Sequence, residues 1–423
     1  MKIKPHISYI DNQMHIENVS VESIAKDIPT PFYCYSYSAI KAAYLEYEAA
    51  FSDLDTMICY AVKANSNQAI LKTLSDLGAG ADVVSEGEIR RALSAGIPAN
   101  KIVFSGVAKT EAEISLALDN DIFQFNVESE PELLLISQIA ARKNKSPAIS
   151  LRVNPNVCAK THEKITTGKS ENKFGIPIAK AREVYRYAAS LPNIIVQGVD
   201  VHIGSQLIDL VPFEEAFNKV AEFVTVLKAD GHKISIIDIG GGLGIDYSED
   251  EIEPDKNAYA TIVKHCLSHL DCKIIIEPGR SIVGNAGVLV SSVVYVKKGE
   301  ERQFLILDAG MNDLVRPSMY DAYHQIKPIS NAITETSHYD IVGPVCETGD
   351  TFSKNRELPT AKAGDLIGIL SCGAYGTVMS STYNTRLNAP EIMVNDKQFA
   401  VIKSRLSYEE VIAQDIIPNW LLK

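Results

Sequence analysis

Met57-Ile-Cys-Tyr-Ala-Val-Lys63-Ala-Asn65 joins six apolar residues directly to a lysine and then to turn formers. A continuous apolar run bounded by turn residues suits a buried strand. The lysine at its end needs a reason, because burying an ammonium is costly unless it is paired or neutralised. Two readings are open. Lys63 either lays its stem on the core with its head in water, or it is an amine held in an apolar pocket, ready to condense with an aldehyde. The stretch alone favours the first reading, and its surroundings favour the second.

Outward from it, the same texture repeats. Further runs lie at Asp82–Ser85, Ile102–Ser105, Ile122–Val127, Ala148–Val153, Val199–Ile203, Ile234–Ile239 and Lys273–Ile276. Amphipathic segments such as Tyr37–Phe51, Ser85–Ala95, Glu111–Leu118, Glu130–Arg142, Ile178–Ser190 and Pro212–Lys228 separate them. Repeated strand–helix units imply a parallel sheet, and eight of them match a closed (β/α)8 TIM barrel. An open doubly wound sheet has the same local texture and is the alternative. Chemically loaded residues fall at the carboxyl ends of these runs: Lys63, Asn154, His202 to Ser205, Gly240-Gly-Gly-Leu-Gly244 and Glu277-Pro-Gly-Arg280. That end is the active face of such barrels. Past residue 281 helical periodicity gives way to strand-like runs at Val288–Val296, Gln303–Leu307, Tyr339–Val342, Leu366–Leu370 and Glu391–Val394. The expected organisation is an α/β barrel over 36–280 and a mostly antiparallel β-domain over 281–423, joined by the strand-like residues 1–35.

Composition narrows the function classes. Of 423 residues, 46% are hydrophobic and 22% charged, as in globular proteins. A net charge of −12 argues against nucleic-acid or anionic-membrane partners. The opening Met1-Lys-Ile-Lys-Pro5 leads into no signal-peptide core, and no apolar run approaches membrane-spanning length. Seven cysteines, an odd number without a Cys-x-x-Cys pair, suit a reducing cytoplasm and argue against a zinc ribbon. The expectation is a soluble cytoplasmic protein without a metal.

Three segments carry chemistry beside Lys63. The glycines of 240–244 let backbone amides approach an anion closely, yet the spacing matches neither a dinucleotide fingerprint nor a P-loop. A barrel commonly offers a phosphate site after its seventh strand; a plain tight turn is the other reading. Glu277 leaves a hydrophobic strand and needs a partner, either Arg280 within the chain or a protonated ring nitrogen. His202 is either a hydrogen-bonded core histidine or a ring stacked on a flat ligand. Amine, phosphate cradle, stacking ring and pyridinium partner together describe a site for pyridoxal 5'-phosphate.

The motifs Tyr60-Ala-Val-Lys-Ala-Asn65, Phe104-Ser-Gly-Val107, Asn172-Lys-Phe-Gly175, His202-Ile-Gly-Ser-Gln206, Gly240-Gly-Gly-Leu-Gly244, Glu277-Pro-Gly-Arg280, Cys346-Glu-Thr-Gly-Asp350 and Cys372-Gly-Ala-Tyr375 occur in this order across almost the whole chain. In them the sequence resembles the diaminopimelate decarboxylase family, barrel-type pyridoxal enzymes similar in fold to alanine racemase. The resemblance implies decarboxylation of meso-2,6-diaminopimelate at its D-centre to L-lysine, the last step of lysine biosynthesis, by a homodimer with shared active sites. It implies that Lys63 carries the cofactor, His202 stacks on its ring and Glu277 holds its pyridine nitrogen. Ser205, Gly241, Gly242, Gly279 and Arg280 would hold the phosphate, with Tyr375 close by. Arg280, Arg316 and Tyr320 would bind the non-reacting carboxylate, and Glu347 the ammonium beside it. Cys346 of the partner subunit would supply the proton that replaces carbon dioxide. Asp82 and Arg152 are supporting candidates.

The residues also leave rivals. Cys346 suits proton delivery because a thiol titrates near the working range, although a small buried hydrophobe is the commoner fate of cysteine. Arg316 before Pro317-Ser-Met-Tyr320 suits bidentate carboxylate recognition or a solvated loop. An ornithine- or arginine-type decarboxylase would share the cofactor set, but in that group an aspartate commonly follows the cysteine, where Glu347 stands here. A racemase would need a tyrosine as second base, and an inactive homologue would lack Lys63 or Glu277. The polar segment Asn156–Ser170 is read as a lid or as a solvated loop.

Overall fold

The run that opens the barrel is the strand β1, Thr56–Ala61. In the computed structural model, which describes residues 2–157 and 173–422, seven more strands follow it. These are β2 (Gly80–Val83), β3 (Ile102–Phe104), β4 (Gln124–Val127), β5 (Ala148–Asn154), β6 (Ile195–Asp200), β7 (Ile236–Asp238) and β8 (Lys273–Ile276). Each pairs in parallel with the next. Ile274 of β8 then registers with Thr56 of β1, so the sheet closes on itself. Closure rules out the open doubly wound alternative, and the architecture is a (β/α)8 barrel.

Helices alternate with the strands at Gln68–Asp76, Glu86–Ser94, Glu111–Asp119, Glu130–Lys143, Ile178–Ser190, Val211–Ala229 and Lys256–Leu267. Asn67, Ser85, Thr110, Ser129 and Asp255 cap five of them, each side chain accepting from a backbone N–H two or three residues on. Those caps end each strand-to-helix loop at a set residue, which steadies the loops that bear the site. Two of the helices, Gln68–Asp76 and Lys256–Leu267, were not among the amphipathic segments read from the sequence.

The strands also carry polar residues inward. Asn126 on β4 donates to Asp238 on β7, and since these strands are not neighbours the bond crosses the bore. Buried polar groups are costly unless bonded, so a polar bore is maintained for something.

The chain falls into two compact units, Ile40–Gly284 and a second made of Met1–Ala39 with Asn285–Lys423. In the second unit one sheet runs in the order Thr351–Pro359, Thr336–Val342, Gln303–Leu307, Gly287–Lys298, Phe32–Ser36, Glu391–Asn395 and Gln398–Lys403. Most of its pairings are antiparallel, but Gln303–Leu307 with Thr336–Val342 and Phe32–Ser36 with Glu391–Asn395 are parallel. Met14, Ile16, Ile24, Phe32, Val288 and Ile392 pack its core. The first 35 residues are not all strand: Val21–Asp27 is a helix that buries Val21 and Ile24, three apart on one face. Among the described residues no helix is long and apolar enough to cross a membrane. The segment read as a lid or solvated loop lies outside the described residues, apart from Asn156 and Val157.

Candidate active site

Lys63 sits in a single 3-10 turn, Val62–Ala64, leaving β1. Asn65 Oδ1 accepts from the Asn67 amide, and Asn67 Oδ1 accepts from Ala69 at the start of the next helix. The Lys-Ala-Asn-Ser-Asn stretch is therefore turn and cap in one. Its alanines are small for a reason. A Cβ at Gly279 would lie 3.0 Å from Ala61 Cβ and 2.9 Å from Ala64 Cβ, and the Ala61 amide donates to Pro278 O at 3.1 Å. The Lys63 turn is thereby pressed against the Glu277–Arg280 turn.

Lys63 Nζ meets Asp82 Oδ2 at 2.5 Å; Asp82 is fully buried, while the lysine side chain keeps 35% of its surface open. The other oxygen, Asp82 Oδ1, is buried without a hydrogen-bond partner. Asp200, Asp238 and Glu277 are buried on the neighbouring barrel strands or just beyond them. Asn126 Nδ2 donates to Asp238 Oδ2 at 2.9 Å and reaches Glu277 Oε1 at 3.5 Å, while its Oδ1 accepts from Gln124 Nε2 at 2.8 Å and its backbone carbonyl from Lys109 Nζ at 2.7 Å. Burial first, then the charges of Asp238, Asp82 and Asp200, hold Glu277 well above the usual carboxylate range, with Lys63 opposing. Burial pushes Asp238 up to about 6. Asp200 is raised by burial and by Asp238, against Arg152. These carboxyls are thus held toward their protonated forms, and a further buried cation placed among them would draw them toward ionisation.

His202 follows β6, and its Nδ1 accepts the Gly241 amide at 3.2 Å, which places the ring proton on Nε2. Burial, then the charges of Arg152 and Lys63, push His202 well below its ordinary value, so the ring is neutral. Gly242 has φ +105°, and a Cβ there would stand 2.3 Å from Gly204 O; one at Gly241 would stand 2.2 Å from Glu277 O. The loop accordingly carries glycines where three strand ends meet. Arg280 opens the short helix Arg280–Val283 and spends Nη1 on the Tyr247 hydroxyl at 2.5 Å and Nη2 on Ser205 Oγ at 3.0 Å. Arg152 is taken up by Glu128 at 2.7 Å.

The structure therefore brings together, at the carboxyl ends of the barrel strands, Lys63, Asp82, His202, Ser205, Gly241, Gly242, Glu277, Gly279 and Arg280. Arg316, Tyr320, Cys346, Glu347 and Tyr375 belong to the other unit. There Arg316 opens the helix Arg316–Tyr320 and faces His324 Nε2 at 2.8 Å, while His324 Nδ1 lies 2.8 Å from Leu370 O. The carbonyl must accept from Nδ1–H, so Nε2 accepts from the guanidinium and His324 is a neutral brace. Ser318 Oγ donates to Gly349 O at 2.6 Å, tying this helix to the loop of Cys346 and Glu347. Asp350 closes that loop by accepting from Val345 N at 2.7 Å, and Asn384 Oδ1 accepts from Cys346 N at 2.9 Å. A hydrogen bond to Glu347, and then its charge, raise the Tyr383 phenol. Cys346 itself is exposed in the subunit.

Sequence reasoning missed Asn126, Asp238, Tyr247, His324, Tyr383 and Asn384 as contributors. For the first two a signal existed, since a polar side chain inside an apolar strand must find a buried partner. Of the remaining four, Tyr247 and His324 lie in loops and Tyr383 and Asn384 in a 3-10 turn, where only the fold reveals their contacts.

Against known proteins, the family model of the pyridoxal-dependent decarboxylase, pyridoxal binding domain, matches residues 37–284. That defines the class: a barrel-type pyridoxal-dependent decarboxylase. Diaminopimelate decarboxylase of Aquifex aeolicus is 45% identical over 408 residues, covering 96% of this chain and 97% of that one. The enzyme of Neisseria meningitidis serogroup B is 47% identical over 400 residues, covering 95% and 96%. The structure superposes on diaminopimelate decarboxylase from M. jannaschii in co-complex with L-lysine with a TM-score of 0.95, at 37% identity and 99% coverage of both chains. The chain belongs to the diaminopimelate decarboxylase family.

The residues present fit pyridoxal 5'-phosphate. Asp82 Oδ1 lacks a partner, the buried carboxyls would be drawn toward ionisation by a further cation, and a neutral imidazole adjoins a glycine loop. Glu277→Gln should preserve folding and lower kcat about 10- to 100-fold, as expected for one to two pKa units of lost bias on the ring nitrogen. Cofactor absorbance and turnover both unchanged in that variant would show Glu277 to be structural only.

Proposed function

We infer that the protein removes carbon dioxide from the D-centre of meso-2,6-diaminopimelate and releases L-lysine, as a pyridoxal 5'-phosphate enzyme of the final step of lysine biosynthesis. Family membership carries the reaction, and the Lys63–Asp82 pair at the mouth of the carboxyl-lined bore supports the placement of its chemistry. When bound, the protonated pyridine ring supplies the sink for the electron pair that carbon dioxide leaves behind. Glu277, in a pocket it shares with Asp238, Asp82 and Asp200, would keep that ring nitrogen protonated by charge pairing. Lys63 Nζ, oriented by Asp82 Oδ2, would hold the cofactor covalently. The neutral His202 ring, its plane set by the Gly241 amide, would stack on it. Ser205, Gly241, Gly242, Gly279 and Arg280 would hold the phosphate, with Tyr375 nearby.

Substrate choice is placed at the end that does not react. Arg280, Arg316 and Tyr320 take its carboxylate and Glu347 takes its ammonium, Arg316 being buried and braced by His324. Orientation then decides which bond breaks. Cys346 of the partner subunit hands its thiol proton to the carbon that lost carbon dioxide, so the working unit is a cytoplasmic homodimer with composite sites. An exposed Cys346 on a tightly tied loop supports that arrangement.

Mixing Lys63→Ala subunits with Cys346→Ala subunits tests it. Random exchange leaves one intact site in each heterodimer, so about one quarter of wild-type activity should return. Absence of recovery under demonstrated exchange would place both residues in one subunit's site.

A further inference from the structure

The segment from Leu406 to Leu422 ends the described chain and exposes more large apolar side chains in close succession than any other described stretch. Ile412, Ile416, Ile417, Trp420, Leu421 and Leu422 are between 61% and 89% exposed. Yet the segment has definite local structure. Ser407 and Glu410 form a capping box on the helix Tyr408–Ile412, and Asn419–Leu421 forms a 3-10 turn. Arg405 Nη2 anchors its start on the carbonyls of Pro29 at 3.0 Å and Pro31 at 2.6 Å. It continues from Gln398–Lys403, which ends the strand order of its sheet among the described residues, with Val401 also exposed. Ordered apolar surface of this kind marks an interaction site.

We propose that residues 401–422 are a clasp that docks on a second copy of this chain and buries Trp420 there, an inference resting on the homodimer read above. Size favours a folded partner: six side chains at these exposures offer on the order of 700–900 Å², near the ~800 Å² per partner of a standard interface. Charge disfavours a membrane. The clasp carries Glu409, Glu410 and Asp415, and its two cations, Lys403 and Arg405, are engaged by Glu391 and by the carbonyls of Pro29 and Pro31, within a chain of net charge −12, whereas interfacial helices carry a basic polar face. A second copy needs no further species, and twofold pairing of identical chains is the commonest assembly of soluble proteins.

Trp420 is the only tryptophan in the sequence, so the holoenzyme carries its own reporter. Sedimentation velocity across a dilution series, read together with acrylamide quenching of tryptophan emission, tests the clasp. The dimer should quench weakly and the monomer several-fold more strongly. Ile416→Asp and Trp420→Ala, both at exposed positions that leave the subunit fold intact, should each raise the dimer Kd at least ~30-fold, the scale of an interface hot spot. A dimer whose Trp420 is freely quenched, or variants with unchanged Kd, would overturn the clasp while leaving the dimer standing. A wild-type protein that is monomeric at every concentration would overturn the dimer itself, and with it the clasp.

Discussion

Lys63→Ala should cut turnover by about 10²- to 10⁴-fold, the range for losing a group that moves protons at the reacting centre, and should abolish the borohydride-sensitive visible absorbance of the bound cofactor. Affinity for the cofactor should fall less steeply, because the phosphate contacts proposed at Ser205, Gly241 and Gly242 would not involve the amine. The placement rests on Lys63 being the amine presented at the end of β1 with a carboxylate 2.5 Å away. Lys63→Arg should fare no better, since charge is kept but a condensable amine is lost. Near-normal decarboxylation by Lys63→Ala would mean that another group carries the cofactor.

Arg316→Ala should lower kcat/KM for meso-diaminopimelate by about 30- to 5,000-fold, equivalent to the 2–5 kcal/mol typical of removing one partner of a buried, hydrogen-bonded charge pair. On the reading proposed above, the buried guanidinium, held by a neutral His324, faces the substrate's distal carboxylate. The loss should be selective. Ornithine lacks that carboxylate, and its already low kcat/KM should fall far less. Equal proportional losses on both substrates would make Arg316 a structural residue of its loop.

The barrel was legible because parallel strands covered on both faces read as continuous apolar runs, and because polar and glycine residues recur at the same end of each. Thr351–Pro359 alternates irregularly between buried and exposed positions and carries no apolar run, so it was not legible as a strand. Gln398–Lys403 does hold a short apolar run, Phe399-Ala-Val-Ile402, which was passed over in the sequence; it lies at a sheet edge with little burial. The two parallel pairings of the β-domain join segments distant in sequence, and nothing local encodes them. Val21–Asp27 was taken into a run of strands because seven residues hold only two core positions, too few to separate a period of 3.6 from one of two.

In the site, residues with distinctive chemistry at strand ends could be singled out from sequence. Their supports could not. Asp82 was a minor candidate until the structure set it on Lys63, and Asn126 became visible only through a bond across the bore to Asp238. Tyr383 and Asn384 sit 37 and 38 residues beyond Cys346 in the chain and reach its loop through a turn with a left-handed Asn384, φ 55°.

The most direct test of the function is kcat/KM measured on one preparation, by carbon dioxide release, for meso-diaminopimelate, ornithine, arginine and lysine. A site with arginines for a distal carboxylate and Glu347 for the ammonium should prefer meso-diaminopimelate by the same order as the Arg316→Ala loss, with L-lysine as product. Preference for ornithine, arginine or lysine would leave the pyridoxal chemistry intact and contradict the substrate assignment.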